Sequence, residues 1–277
     1  MNHRMNPTRR AMTPSSLHIA TTDIVAAIRR YPLIGMLGWQ DIQQRYRRSA
    51  LGPFWLTLSM GIMIATIGVV FSRIFHSPMK EFLPYLSIGM IFWGFFSVTI
   101  SEGCMGFINS EGIIKQLPIP LFVHIMRTVW RNTLIFMHNI VIVPVVYLIV
   151  GKSVSWVALL SIPGFVLAAV NLIWMALFLG TLCARYRDLP QMIASLLQVL
   201  FYLTPVMWIP GSLSQRAGFW LVQLNPVYHL LQIVRAPLLG QMPSAVNWGV
   251  TAIMAMAGWA ITLWFYGRYQ RRIPYWL

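Results

Sequence analysis

Residues 154–182 read VSWVALLSIPGFVLAAVNLIWMALFLGTL and contain no Asp, Glu, Lys or Arg. About 20 apolar residues wound as a helix are enough to cross the hydrocarbon core of a bilayer. Charge returns only at Arg185-Tyr186-Arg187-Asp188, just past the end of the run. Similar runs recur at 54–72, 83–107 and 129–150 on the N-terminal side and at 190–209 and 246–266 on the C-terminal side. The reading is an all-α membrane protein with six transmembrane helices. Composition agrees: 57% of the 277 residues are hydrophobic and 10% are charged, too few charges to cover a soluble domain.

The basic residues orient these spans. Eight Lys or Arg precede the first span, three fall in or beside the second connection, two in the fourth and three after the sixth. The opposite side carries only Arg73, Lys80, Lys152, Arg216 and Arg235. The positive-inside rule then puts both termini of a multi-pass membrane protein in the cytoplasm. The formal net charge of +15 is read as contact with anionic lipid headgroups, not nucleic acid, because every basic patch adjoins an apolar span. Residues 1–23 lack the apolar core of a signal peptide.

Three segments outside the spans carry structure of their own. Residues 1–20 read as a flexible terminus and 21–51 as a cytoplasmic interfacial amphipathic helix, with Thr21-Thr22-Asp23 as its cap. Its apolar and aromatic residues, Trp39 and Tyr46 among them, are flanked by Arg45, Arg47 and Arg48. Gly52-Pro53 turns the chain into the membrane-spanning region 52–277. Residues 109–120 form a short cytoplasmic helix in which Glu111 and Lys115 pair at i,i+4 and Ile113 and Ile114 are exposed; Pro118 and Pro120 end it. Residues 218–234 are apolar but broken by Asn225-Pro226, and a seventh span would send the basic end outside. A pair of short re-entrant helices within 211–240, dipping into the outer leaflet, fits better.

The chemistry-bearing residues exclude more than they propose. Gly151-Lys152-Ser153 resembles the end of a phosphate-binding loop, but Val146 stands where that motif needs glycine and no strand precedes it. His124, His138 and His229 share no ligand spacing, and Cys104 and Cys183 form no CxxC, so no metal site is expected. Of the six acidic residues, Glu102 alone lies inside a span, near its cytoplasmic end, where an arginine can reach it. His138-Asn139 reads as a polar helix-packing pair; a membrane acyltransferase using His138 as base is the alternative. The aromatics, 13% of the chain, include Phe92-Trp93, Phe95-Phe96, Phe201-Tyr202 and Trp208. Belt and core packing account for many, and such faces also suit the C–H faces of sugar rings.

The run Arg45-Tyr46-Arg47-Arg48-Ser49-Ala50-Leu51-Gly52-Pro53-Phe54-Trp55 resembles the signature before the first span of bacterial polysaccharide-export permeases. These are membrane subunits of type-2 ATP-binding-cassette exporters for O-antigen, capsule and teichoic acid. Glu111 to Pro120, Arg185-Tyr186-Arg187-Asp188, Leu203-Thr204-Pro205-Val206 and Asn225-Pro226 with Arg235 fit the same pattern in order. The resemblance implies a transport permease, not an enzyme, that pairs with a second copy of itself. It implies two separate nucleotide-binding subunits that hold the ATP and magnesium, so that no cofactor resides in this chain. Glu111, Gly112, Ile113, Ile114 and Lys115 would contact the ATPase. Arg45, Tyr46, Arg47 and Arg48 would hold the interfacial helix against lipid or the pyrophosphate of a lipid-linked polysaccharide. Phe92, Trp93, Tyr202 and Trp208 are channel-lining candidates, and Asn225, Pro226 and Arg235 belong to a periplasmic gate. A related exporter of drugs or lipids, or a stand-alone membrane carrier, is the competing reading.

Overall fold

The computed structural model describes residues 16–47, 52, 54–74, 78–210 and 222–277. Every regular element among them is helical. Helices α1 (Ser16–Arg29) and α2 (Tyr31–Tyr46) precede the first span. Then come α3 (Phe54–Ile74), α4 (Met79–Cys104), α5 (Glu111–Gln116), α6 (Phe122–Asn139) and α7 (Ile142–Val150). The chain continues with α8 (Ser161–Arg185), α9 (Leu189–Leu203), α10 (Pro226–Leu238), α11 (Ala245–Tyr269) and α12 (Ile273–Trp276).

Among the described residues, five stretches are long and apolar enough to cross a membrane: Phe54–Ile74, Met79–Cys104, Phe122–Val150, Trp156–Arg185 and Ala245–Trp276. The chain is therefore a multi-pass membrane protein. The expected span at 190–209 is represented by α9, which has only 15 residues. At 1.5 Å per residue it is roughly 22 Å long, against a hydrocarbon core of about 30 Å. It stops because Thr204 turns to an extended conformation ahead of Pro205. The described part of 211–240 holds the helical residues Val222 and Gln223 and then α10, of 13 residues, and residues 211–221 lie outside the described set.

The N-terminal region departs from the pattern expected of its sequence. Residues 16–20, expected within a flexible terminus, are the first turns of α1. Pro32 sits in the first turn of α2 and separates it from α1, so 21–46 is two helices. Thr21 and Thr22 lie inside α1, where their hydroxyls donate back to Leu17 O and His18 O. Asp23 caps another helix: its carboxylate accepts the backbone N–H of Leu121 at 3.1 Å and of Phe122 at 3.0 Å, at the start of α6. Tyr266 of α11 donates its hydroxyl to the same carboxylate at 2.7 Å.

Helix α4 is the centre of the bundle, buried against α8, α6, α3 and α7. Small residues let α4 and α8 approach closely, as membrane helices need. A Cβ at Gly103 would lie 2.7 Å from the Ala176 Cβ. Polar side chains tie other seams. Asn139 accepts from Thr57 of α3 at 3.2 Å, and the Asn171 amide of α8 donates to Thr251 O of α11 at 3.1 Å. Helices α3 and α9 stay largely uncovered, with large apolar side chains such as Trp55, Ile62, Leu196 and Tyr202 exposed.

Candidate substrate groove and coupling face

Between α4 and α9 runs a groove of about 660 Å³, lined by Trp93, Ser97, Ser101, Gln198, Phe201 and Tyr202 among others. The Trp93 and Phe201 rings are 5.3 Å apart, and Phe201 and Tyr202 are 5.4 Å apart. Tyr202 is 70% exposed. Two of the four aromatic candidates thus meet on one wall. Trp208 is half-buried beyond the end of α9 and donates its indole N–H to Tyr202 O at 3.0 Å, which fixes the wall without lining it. Phe92 is only 1% exposed and belongs to the central apolar core. Successive residues on an α-helix point about 100° apart. With Trp93 in the groove, Phe92 is turned into the bundle and leaves the set of lining residues.

The groove ends at Glu102, which is paired on two sides. Arg45 of α2 reaches it at 2.9 Å and Arg131 of α6 at 2.5 Å. Arg131 also bonds Asp41 of α2 at 3.0 Å, and Arg127 makes a two-pronged contact with Asp41, its Nε at 2.7 Å. Two carboxylates and three guanidiniums therefore bolt α2 to α4 and α6. Glu102 serves this network; it is not a lone intramembrane carboxylate. Of the other N-terminal candidates, Arg47 is exposed just beyond α2. Arg48 and the Tyr46 side chain lie outside the described residues.

At the other end, Leu203-Thr204-Pro205-Val206 is held from α4 and α10. Asn225 caps α10, its side-chain oxygen accepting the Val227 N–H at 2.9 Å, while its amide donates to the Thr204 hydroxyl at 2.9 Å. Pro226 occupies the first turn, where a missing N–H costs no helical bond. Arg235 is wholly buried and donates to Pro205 O at 2.7 Å and to Gln232 at 3.2 Å. Tyr85 donates to both Pro205 O and Trp208 O. Asn225, Pro226 and Arg235 thus converge on the break after α9.

Helix α5 lies at the end of the molecule that carries the charge network. Glu111 and Lys115 bond at 2.7 Å, and the ammonium holds the Glu111 carboxyl below its usual range. Gly112 is exposed, but Ile113 and Ile114 are half-buried instead of exposed, Ile114 packing on the lower apolar cluster. The face that α5 shows outward is set by Gly112, Lys115, Gln116 and Leu117. The segment leaving it, Leu117 to Pro120, runs directly into the α6 cap at Asp23. Burial is the largest influence on Asp23 and holds its carboxyl above the ordinary range, although its hydrogen-bond donors oppose the shift.

Sequence reading missed Tyr85, Asp41 and the role of Asp23. Tyr85 sits in an unbroken apolar run, where nothing marks its partner 120 residues away. Asp41 had a signal: an acidic residue among basic neighbours on an interfacial helix needs cationic partners. Among the described residues no three His, Cys, Asp or Glu side chains are placed to hold a metal ion. His229 is bonded between Asn247 at 2.8 Å and Gln223 O at 2.9 Å.

Known proteins resemble this chain along most of its length. The model of the ABC-2 type transporter family matches residues 32–239. An O-antigen export system permease protein of Klebsiella pneumoniae is 22% identical over 236 residues, covering 84% of this chain and 89% of its own length. A second protein of that description from the same organism is 21% identical with the same coverage. One from Myxococcus xanthus is 22% identical over 198 residues, 71% of this chain and 76% of its own.

Proposed function

The chain belongs to the ABC-2 type transporter family, and from that premise we propose that it is the permease of an ATP-driven exporter moving lipid-linked polysaccharide from cytoplasm to periplasm. The observation that carries the substrate class is the α4–α9 groove, where Trp93, Phe201 and Tyr202 stand beside Ser97, Ser101 and Gln198. Aromatic faces stack on the C–H faces of sugar rings, and hydroxyl and amide groups exchange hydrogen bonds with their hydroxyls. The likeness to O-antigen export permeases supports the same class.

In this reading two copies face each other across the uncovered sides of α3 and α9, so that their grooves enclose one passage in the inner membrane. Helix α9 serves as the fifth of six spans, and both termini are cytoplasmic. The permease supplies no hydrolytic chemistry; ATP and magnesium reside on two ATPase subunits docked at α5. Arg45 and Arg47 hold α2 at the lipid headgroups, and Arg45 faces the entrance beside Glu102. The α9 break, with Asn225, Pro226 and Arg235, gates the outer end.

The test is reconstitution of the chain with its ATPase subunit in vesicles, following transfer of a lipid-linked O-polysaccharide. Trp93→Ala with Tyr202→Ala is expected to lower transfer at least about tenfold while ATP hydrolysis persists, an order set by the loss of two stacking faces. Lys115→Glu with Leu117→Asp, on the outward face of α5, is expected to abolish coupling. Undiminished transfer by the groove variant sinks the polysaccharide pathway; full coupling in the second removes α5 from the ATPase contact.

A further inference from the structure

Residues 270–277 fold back beneath the bundle instead of trailing from it. Helix α11 alone, with 25 residues, is roughly 37 Å long, more than the hydrocarbon core of about 30 Å. The chain beyond Tyr269 therefore emerges from the membrane on the side of α5. A single 3-10 turn, Gln270–Arg272, leads into the short α12. Ile273 is fully buried and pins it. The Arg185 guanidinium lies 5.6 Å from the Trp276 ring centre, and Arg187 donates to Trp276 O at 3.4 Å and Leu277 O at 3.2 Å. The hook so formed packs against both α5 and the end of α8.

Its other face is turned away from the bundle, although the Arg272 guanidinium also lies 5.9 Å from the centre of the Tyr269 ring. Tyr275 is 89% exposed, beside exposed Arg271 and Arg272. Two helical positions separate it from Ile273, about 200° around the axis, so the pin that buries one side chain presents the other. Between hook and bundle opens a cavity of about 550 Å³, lined by Gln270, Arg271 and Pro274 together with Asp23, Ile119 and Leu121. The hook is thus continuous with the segment that leaves α5, and it lies outside residues 32–239 matched to the family.

We propose that residues 270–277 and α5 form a two-part seat for the ATPase subunit. Tyr275 enters an apolar recess of that subunit, and Arg271 and Arg272 meet acidic side chains around it. Continuity with α5 selects this occupant, so the inference rests on the reading of α5 as the ATPase contact. Exposed aromatic and arginine side chains are the residue types enriched in interface anchors. The hook adds grip on the partner where α5, with six residues, offers little surface of its own.

The experiment uses the full chain in nanodiscs, titrated with its ATPase subunit. Tyr275→Ser and the double change Arg271→Glu with Arg272→Glu are each expected to weaken binding about tenfold, as loss of an anchor does. The melting temperature of the permease alone stays unchanged, because the replaced side chains are exposed. Unchanged affinity in both variants overturns the proposal. So does a loss confined to binding of vesicles containing phosphatidylglycerol, which would make the hook a headgroup anchor. Lys115→Glu with Leu117→Asp, on the outward face of α5, run alongside, separates the two readings. If that variant binds normally while the hook variants do not, α5 is dismissed and the hook stands. Absence of binding by the unaltered chain dismisses both.

Discussion

The guanidinium of Arg235 lies 4.0 Å from the centre of the Tyr85 ring, and the two side chains donate to one carbonyl, Pro205 O, at 2.7 and 2.9 Å. A buried arginine facing only neutral partners is costly, and the quadrupole of the ring offsets part of that cost. Two helices thereby hold the break that follows α9 at Pro205: α4 through Tyr85 and α10 through Arg235.

Removing either donor leaves Pro205 O with the other. Tyr85→Phe keeps the ring beneath the guanidinium, and Arg235→Met fills similar space. The double variant leaves the carbonyl with neither and should lose about 1 kcal/mol more than the sum of the single changes. Thermal unfolding in detergent measures this; strict additivity would show that the carbonyl does not join them.

Asp23→Ala should cost about 1–2 kcal/mol, the usual penalty for a lost helix cap, because two N–H groups at the start of α6 lose their acceptor. The pH dependence has a definite sign. Since burial raises the folded carboxyl above its unfolded value, its contribution is complete below about pH 4 and is lost as pH rises through the folded value. Asp23→Asn cannot titrate. The melting temperature of the parent chain should therefore fall relative to Asp23→Asn as pH rises from about 4 towards neutrality, and a constant difference would contradict the shift.

Glu102→Gln tests the charge network. Arg45 and Arg131 lose their common carboxylate, and Arg131 keeps Asp41. Because the site is partly exposed, a loss of about 1–3 kcal/mol is expected, below that of a fully buried pair. The pH profile of transport should keep its shape in the variant. A changed profile would mark Glu102 as a proton carrier.

Phe92→Ala and Trp93→Ala replace adjacent aromatics with opposite expected results. The first opens a cavity in the α4 core and should cost about 3–5 kcal/mol of stability. The second truncates a half-buried ring and should cost less, about 1–2 kcal/mol, while lowering transport. Parallel losses of stability would place Trp93 in the core as well.

Adjacent letters explain where the sequence stopped being informative. Apolar runs and basic connections are one-dimensional signals, and they located the membrane-crossing helices. Asn225-Pro226 marked the start of α10 because cap chemistry is local. By contrast, Phe92-Trp93 has no polar flank to orient it, so only the packing of α4 against its neighbours tells the buried ring from the half-buried one that lines the groove. The same holds for Asp23, whose neighbours Thr21 and Thr22 suggested a local cap. Its actual partners lie 98 and 99 residues away. The short α9 was hidden by apolar residues that continue past Thr204 into the turn.

Asp23 also joins α1 to the first residues of α6 and the last turn of α11 through a single carboxylate. Only Leu117 to Pro120 separates this junction from α5; the stretch leaves the helix extended at Leu117 and turns at Pro118, the Ile119 N–H donating to Leu117 O at 2.8 Å. The bond and the two proline rings, which fix φ at 118 and 120, leave this short link little freedom to bend or shorten. Force applied to α5 therefore passes through a stiff strut into a three-helix block and arrives as its rigid displacement, with little of the stroke absorbed on the way.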